Sequence, residues 1–276
     1  MPGRRGRRES AVLIGDIDVH PLTDGTFRAS PEYFGDHVRA EGHEDLFGRD
    51  GLAFLPIGCF LVRTGDRTIL VDCGMGPALR DDGRRRLLVG GQLLLGLRAV
   101  GVATTDVTDV VCTHLHADHT GWLFDLAAEP VFAGATIWFG AHDWQHFVLD
   151  PDVWMFDHIR AGFRAAAEGG ARLRPVEHDT TIAPGVSLTM TPGHLGVVVA
   201  AAGRRAILLG DAIVCPVQLD EPTWQSIGDV DPALARRVRE RLFRELEDPA
   251  TLGAGAHFPE LQFGRVLVGK GRRWVS

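Results

Sequence analysis

No run of apolar residues in this chain approaches the roughly 20 needed to cross a membrane as a helix. The four cysteines, Cys59, Cys73, Cys112 and Cys215, form no Cys-x-x-Cys pair, which argues against a disulfide scaffold or a cysteine-rich metal knuckle. Each lies in or beside an apolar stretch, as a buried free thiol in a reducing compartment would. A basic stripe is also missing. With a net charge of −7, the chain has little to offer a nucleic-acid backbone. Neither Ser-x-x-Lys nor Gly-x-Ser-x-Gly occurs, which disfavours a covalent serine intermediate. Tyrosine is nearly absent, with Tyr33 alone. Arg4, Arg5, Arg7 and Arg8 open the chain, but the apolar stretch after them, Ala11–Ile14, is cut short by Asp16 and Asp18. Residues 1–10 are therefore expected to be a disordered basic tail rather than an export signal, and the protein to be cytoplasmic, with neither membrane nor nucleic acid as a partner.

What is present fits an ordinary globular protein: 276 residues, 45% hydrophobic and 24% charged. Residues 11–276 are expected to form a single domain with a sizeable core. Ala11–His20 reads as an opening strand and Thr23–Asp50 as a long polar loop with one short helix, of the kind that often borders a binding site. Phe60–Asp72 is a hairpin signal around Thr64-Gly65-Asp66-Arg67. Arg80–Arg86 reads as an exposed charged stretch, and Leu87–Val100 as a helix. Further helices are expected over Ala141–Val148, Asp157–Glu168 and Asp231–Glu247, the last with Asp231 as N-cap and an apolar stripe of Leu234, Val238, Leu242 and Leu246. Strands are expected at Ala135–Phe139, Arg172–Val176, Thr180–Ile182, Ser187–Thr191, Val197–Ala201, Ala206–Leu209, Thr251–Ala256 and Val266–Val268. The second hairpin again ends in an aspartate, Asp211, an echo that suggests two similar halves. Strands alternating with helices in two halves indicate an α/β (α+β) fold with helices outside packed sheets.

The most informative stretch is Thr113–Trp122. His114, His116, Asp118 and His119 offer four metal ligands within six positions, immediately after the apolar, β-branched run Asp109–Thr113. A regular helix would spread these side chains around its circumference, whereas a tight loop leaving a strand turns them inward. The expected order is strand, ligand loop, then a helix from near Thr120 or Gly121. Three imidazoles and a carboxylate suit zinc or a similar divalent ion. His194, Asp211 and His257 also lie at the ends of apolar strands, where one sheet edge could gather them with the first cluster.

His114-x-His116-x-Asp118-His119 resembles the signature of the metallo-β-lactamase-fold hydrolases. Thr191-Pro-Gly-His194, Leu209–Gln218 and Gly255-Ala-His257-Phe-Pro259 are most similar to the methyl parathion hydrolase and N-acyl homoserine lactone lactonase branch. The resemblance runs from about Gly58 to Val268 and implies a four-layer αββα sandwich. It also implies two divalent metal ions: His114, His116 and His194 on one, Asp118, His119 and His257 on the other, and Asp211 between them. Zinc fits this nitrogen-rich set best, with iron, manganese or cobalt as alternatives. Asp72, at the end of a strand, would orient the ligands from behind. Asp118 and Asp211 are the catalytic carboxylates in this reading, and a metal-bound hydroxide would attack a small, moderately apolar ester or lactone, or a phosphotriester. Alternatives on the same fold are a thioesterase or β-lactam-type hydrolase and an iron-dependent oxygenase. Lactonases of this branch typically carry a tyrosine three residues after the bridging aspartate, where this chain has Val214, a departure that weakens the lactonase assignment. Trp122 and Phe258, adjacent to ligand segments, are candidates for the substrate pocket. Exposed aromatics or the Thr23–Asp50 segment could support a homodimer.

Overall fold

A computed structural model describes residues 11–83, 86–170 and 172–276, so the expected tail over residues 1–10 lies outside the described residues. The opening apolar run is a hairpin rather than one strand. Val12–Ile14 (β1) turns at Gly15, whose φ of 63° is left-handed, into Ile17–Ala29 (β2). β2 continues well into the segment expected to be a loop, crossing a bulge at Asp24; beyond Ala29 the segment carries only a 3-10 turn at Pro31–Tyr33 and an isolated bridge at Phe47. Ala53–Thr64 (β3) and Arg67–Val71 (β4) form the expected hairpin, with Gly65 at φ 56° in the turn.

The structure corrects the expectation of an exposed charged stretch leading into a long helix. Leu79–Asp81 (β5) and Arg86–Val89 (β6) pair with each other, and β6 pairs with β2. Gly90 and Gly91 separate them from the helix, which spans only Leu93–Ala99 (α1). Asp109–Val111 (β7) runs parallel to β4. After it comes the single turn Ala117–Thr120 (α2), which starts inside the ligand motif rather than beyond it. Thr136–Gly140 (β8), Ala141–Asp143 (α3, widening into a π-turn through Leu149), Asp157–Glu168 (α4) and Leu173–Val176 (β9) complete the first half. Its sheet order is β5-β6-β2-β3-β4-β7-β8-β9, with β1 on β2.

The second sheet contains Thr180–Ala183 (β10), Val186–Thr191 (β11), His194–Ala201 (β12), Arg204–Leu208 (β13) and Thr251–Ala254 (β14), in that spatial order. Val217–Asp220 (α5) and Pro232–Glu245 (α6) lie between β13 and β14. Asp231 caps α6 by accepting from the Leu234 amide at 2.9 Å. A small terminal hairpin, Arg265–Val268 (β15) and Arg272–Val275 (β16), closes the chain, and its second strand has no counterpart in the sequence reading.

Period-two alternation builds the layers. In β3, Phe60 and Val62 pack with Val197, Val199 and Leu208 of the other sheet, while Cys59 and Leu61 face outward onto Leu93, Leu97, Ile159 and Phe163, which cover that face from α1 and α4. The outer face of the second sheet is covered by Val238, Leu242 and Phe243 of α6 and by Leu246 beyond its end, so the apolar stripe serves chiefly as core. Helix, sheet, sheet, helix is the αββα sandwich. Among the described residues, no helix is long and apolar enough to cross a membrane.

One buried carboxylate ties the first half together. Asp24, fully buried at the β2 bulge, accepts at Oδ1 from the amides of Leu93 (2.8 Å) and Gly91 (3.2 Å) and the Trp122 indole (2.8 Å), and at Oδ2 from Met75 (2.8 Å) and Gly76 (3.0 Å). These donors belong to the loop after β4, the entry to α1 and the segment behind the ligand motif. An Asn at this position has one acceptor oxygen, so its amide nitrogen would face donors on one side or the other. Asp24→Asn is expected to destabilise the protein by on the order of 3–5 kcal/mol in urea unfolding, whereas a loss below about 1 kcal/mol would remove this anchoring role.

Candidate metal centre

The strand ends supply the site. β4 ends at Asp72, β7 leads to His114 and His116, and α2 carries Asp118 and His119. From the other sheet, β12 begins at His194, β13 leads to Asp211, and β14 leads to His257. All seven side chains expected as ligands are brought to this one edge. Two compact groups form, His114 with His116 and Asp211, and Asp118 with His119 and His257; within each, the potential ligand atoms lie within 4.8 Å of one another. His194 stands beside the first group, its ring centre 4.7 Å from that of His114.

Asp211 lies between the groups. Its Oδ1 is 3.4 Å from His119 Nε2 and 3.3 Å from His257 Nε2, and its Oδ2 is 4.0 Å from His114 Nε2. Asp118 Oδ2 is 3.4 Å from His257 Nε2 and 3.8 Å from His119 Nε2. His119 Nε2, His257 Nε2 and Asp211 Oδ1 are buried with no hydrogen-bond partner, although each faces the others. Buried polar atoms rarely go unpaired. Three of them converging, two nitrogens and a carboxylate oxygen, are the donor set a divalent cation takes, so the residues present fit the metals that the resemblance implies.

The other ring nitrogens are fixed from behind. Asp72, 1% exposed, accepts at Oδ1 from the Thr113 amide (2.8 Å) and at Oδ2 from the Thr113 hydroxyl and His119 Nδ1 (both 2.9 Å). Because the Thr113 hydroxyl donates to Asp72, it receives His114 Nδ1–H at 3.2 Å. His257 Nδ1 donates to the Pro56 carbonyl at 2.8 Å. In His119 and His257 Nε2 is thereby left to the site, while His114 Nε2 lies 2.8 Å from His116 Nδ1 within the first group.

Electrostatics separates the groups. Burial lowers the pKa of His114 and His194, and that of His116 to about 4, so these rings are neutral near pH 7. Burial also opposes charge on His119 and His257. There it is outweighed, by Asp72, Asp211 and Asp118 for His119, which is held well above its ordinary value, and by Asp211 and Asp118 for His257, which is held at about 10. The same contacts, against burial, keep Asp118 and Asp211 well below the carboxylate range.

The first group opens into a cavity of about 300 Å³ whose apolar wall includes Phe147, Val230, Leu234 and Val238. His146 and Asp143 also line it, the latter carboxyl pushed up to about 7 by burial. The two aromatics expected at the pocket do not reach it. Trp122 packs against the first outer core with its indole on Asp24, and Phe258 is 1% exposed, edge-to-face with Trp274 in the α6 core. Large aromatics beside ligand segments are used here to hold those segments. The sequence reading missed a second, smaller cavity of about 30 Å³ on the Asp118 side, lined by Arg80, Arg86, Leu88, His116, Ala117, Asp118 and Trp154. It also missed Tyr33, which is buried with Val214 in one cluster and whose hydroxyl is 3.0 Å from Ser226 Oγ. Burial, and next the charge of Asp211, push that phenol far above its ordinary value.

The family model described as Metallo-beta-lactamase superfamily matches residues 52–257. Metallo-beta-lactamase domain-containing protein 1 of Homo sapiens is 31% identical over 245 residues, covering 85% of this chain and 79% of the relative. N-acyl homoserine lactonase of Bacillus thuringiensis is 27% identical over 152 residues, covering 51% of this chain and 55% of the lactonase. Among solved structures, AidC, described as a dizinc quorum-quenching lactonase, superposes with a TM-score of 0.81 at 21% identity, covering 96% of both chains. AbOPH, described as a hydrolase in the beta lactamase superfamily, superposes with a TM-score of 0.80 at 22% identity and the same coverage. At these identities the structural likeness is one of fold.

The site's wiring has two measurable outcomes. In the metal-free protein the raised pKa values of His119 and His257 contribute stability that is complete below 6.5 and lost as pH rises toward about 10. A cation must displace those protons. Loading of the Asp118 group is therefore expected to release about two protons per chain at pH 7.5 and to tighten with pH, while loading of the His114 group stays nearly constant. Calorimetry in buffers of different ionisation enthalpy measures this, and pH-independent loading of both groups would contradict it. Asp72→Ala is expected to weaken metal binding roughly ten- to a hundredfold in a chelator competition.

Proposed function

The chain belongs to the metallo-β-lactamase superfamily, and on that premise we propose that it is a dinuclear metal-dependent hydrolase acting on a small, moderately apolar ester or lactone, with phosphotriesters as an adjacent substrate class. The observation that carries this reading is the convergence of His119 Nε2, His257 Nε2 and Asp211 Oδ1, buried and otherwise unpartnered, beside a second histidine group that shares Asp211. His114, His116 and His194 would hold one cation, Asp118, His119 and His257 the other, and Asp211 both. Two such cations, when bound, supply Lewis acidity and bring a water's pKa toward neutrality. Zinc is the cation this set of imidazoles and carboxylates suits best.

The chain's own residues do the rest. Asp72 and Pro56 hold the rings in place, so little reorganisation is needed at the moment of reaction. Phe147, Leu234 and Val238 give the larger cavity an apolar wall that would desolvate an acyl chain, and 300 Å³ is within the range of small-molecule sites. Val214, fully buried, brings no hydroxyl to the site. The names of the lactonase relatives and of AidC support a lactone as the first substrate to try. The human relative's name specifies no substrate.

Metal analysis of the purified protein is expected to find about two ions per chain, and N-acyl homoserine lactones or 4-nitrophenyl esters to be hydrolysed in a chelator-sensitive manner. Asp211→Asn is expected to lower kcat/KM by at least about a hundredfold. Full activity after complete metal removal, or in that variant, would overturn the proposal.

A further inference from the structure

The smaller cavity touches the same centre at Asp118, whereas the apolar one meets it at His114, His194 and Asp211, and His116 lines both. Its walls are cationic. Asp82 grips two arginines at once, accepting from Arg80 Nε at 2.9 Å on Oδ1 and from Arg86 Nε at 2.6 Å on Oδ2. In both guanidiniums the bonded nitrogen is Nε, so among the described residues their terminal nitrogens have no hydrogen-bond acceptor. Arg80 sits over Trp154, its Cζ 3.7 Å from the ring centre, a cation–π contact that helps hold it in place. Both arginines are largely buried, with side chains 26% and 20% exposed. Two cations thus share one bonded carboxylate, and the carboxylate that lines the cavity beside them is Asp118. Asp118 is the strongest favourable charge acting on Arg86. As a metal ligand, Asp118 would spend that charge elsewhere, leaving Arg86 in need of an anion.

We infer that Arg86, with Arg80 beside it, is a specificity-determining residue that binds a carboxylate on the substrate, so that the ester or lactone carries an apolar group at one end and an anionic group at the other. A guanidinium offers two parallel N–H bonds to a carboxylate, and a cavity of about 30 Å³ has room for two oxygens rather than for an extended chain. The inference rests on the hydrolase reading for the identity of the scissile group, but the arginine wall can be tested separately.

The test compares mono-4-nitrophenyl succinate with its neutral isostere, 4-nitrophenyl 4-methylpentanoate, in the metal-loaded wild type, Arg86→Leu and Arg86→Lys proteins. Wild type is expected to favour the anionic ester, chiefly through KM. In Arg86→Leu the ratio of the two kcat/KM values is expected to fall roughly ten- to a hundredfold, with Arg86→Lys intermediate. A binding arm titrates succinamate calorimetrically, and its affinity is expected to fall in Arg86→Leu by a similar factor. Metal content and thermal unfolding establish that the variants fold and load. An unchanged ratio together with unchanged succinamate affinity would overturn the inference. Weakened succinamate binding without turnover of either ester would support the arginine wall while refuting the hydrolase reading. Turnover of both esters without discrimination would do the reverse.

Discussion

The arrangement of this site depends on a buried carboxylate held in an unfavourable backbone conformation. Asp72 has a φ of 60°, a left-handed geometry that costs a non-glycine residue roughly 1 kcal/mol or more. The cost is offset because that geometry ends β4 abruptly and turns the side chain under the neighbouring strand's exit, where three donors meet it. A charge at that depth would be strongly unfavourable without them. The satisfied carboxylate then fixes the Thr113 backbone, the His119 ring and, through the Thr113 hydroxyl, the His114 ring. Two of the rings facing the centre thus take their orientation from one residue that does not itself face it.

The second half of the fold makes the opposite use of the same position. In both sheets a hairpin lies beside a later parallel strand: β3 and β4 beside β7, and β12 and β13 beside β14. Each hairpin ends in an aspartate, and each parallel strand leads to site histidines. Asp72 is saturated by protein donors, whereas Asp211 keeps Oδ1 buried and unpartnered. Repeated topology has therefore put one carboxylate behind the ligands and the other among them. The difference arises from the chain segments that leave the strands. Thr113 and His119 return over Asp72, while Gly210, with φ 53°, comes so close to the Thr113 side chain (2.6 Å from a Cβ built there) that Asp211 is carried past it into the centre.

The seven inward-facing residues were legible because their types are costly to bury without a purpose and because each adjoins an apolar strand. Both hairpins, helix α4 and the capped α6 were legible for a related reason, since local periodicity and turn chemistry agree there with the tertiary outcome. The β5–β6 hairpin was not. Its short strands carry arginines and an aspartate, and β6 is held by β2, 57 to 63 positions earlier in the Thr26–Val89 to Ala29–Arg86 register, which nothing local signals. Asp24 was hidden in the same way: in sequence it is a polar residue in a polar stretch, and only folding surrounds it with five donors. Trp122 and Phe258 show the converse error. Proximity to ligand segments does not imply exposure to the pocket: a segment that must be held rigid needs large apolar anchors on its far side, and these two residues supply them.

The two sides of the centre differ because different layers close them. On the His114 side, α6 presents Leu234 and Val238 from the N-terminal end of the same stripe that packs on the second sheet, and Phe147 arrives from the π-turn after β8. On the Asp118 side, the edge hairpin β5–β6 of the first sheet brings Arg80 and Arg86, both bonded through Nε to Asp82 between them. An apolar wall and a cationic wall facing one set of potential ligands impose a polarity on anything laid across it. That polarity comes from elements outside the ligand motif. A shared ligand motif therefore need not imply a shared substrate, and the elements that would set the choice here are the sheet-edge hairpin and the C-terminal helix.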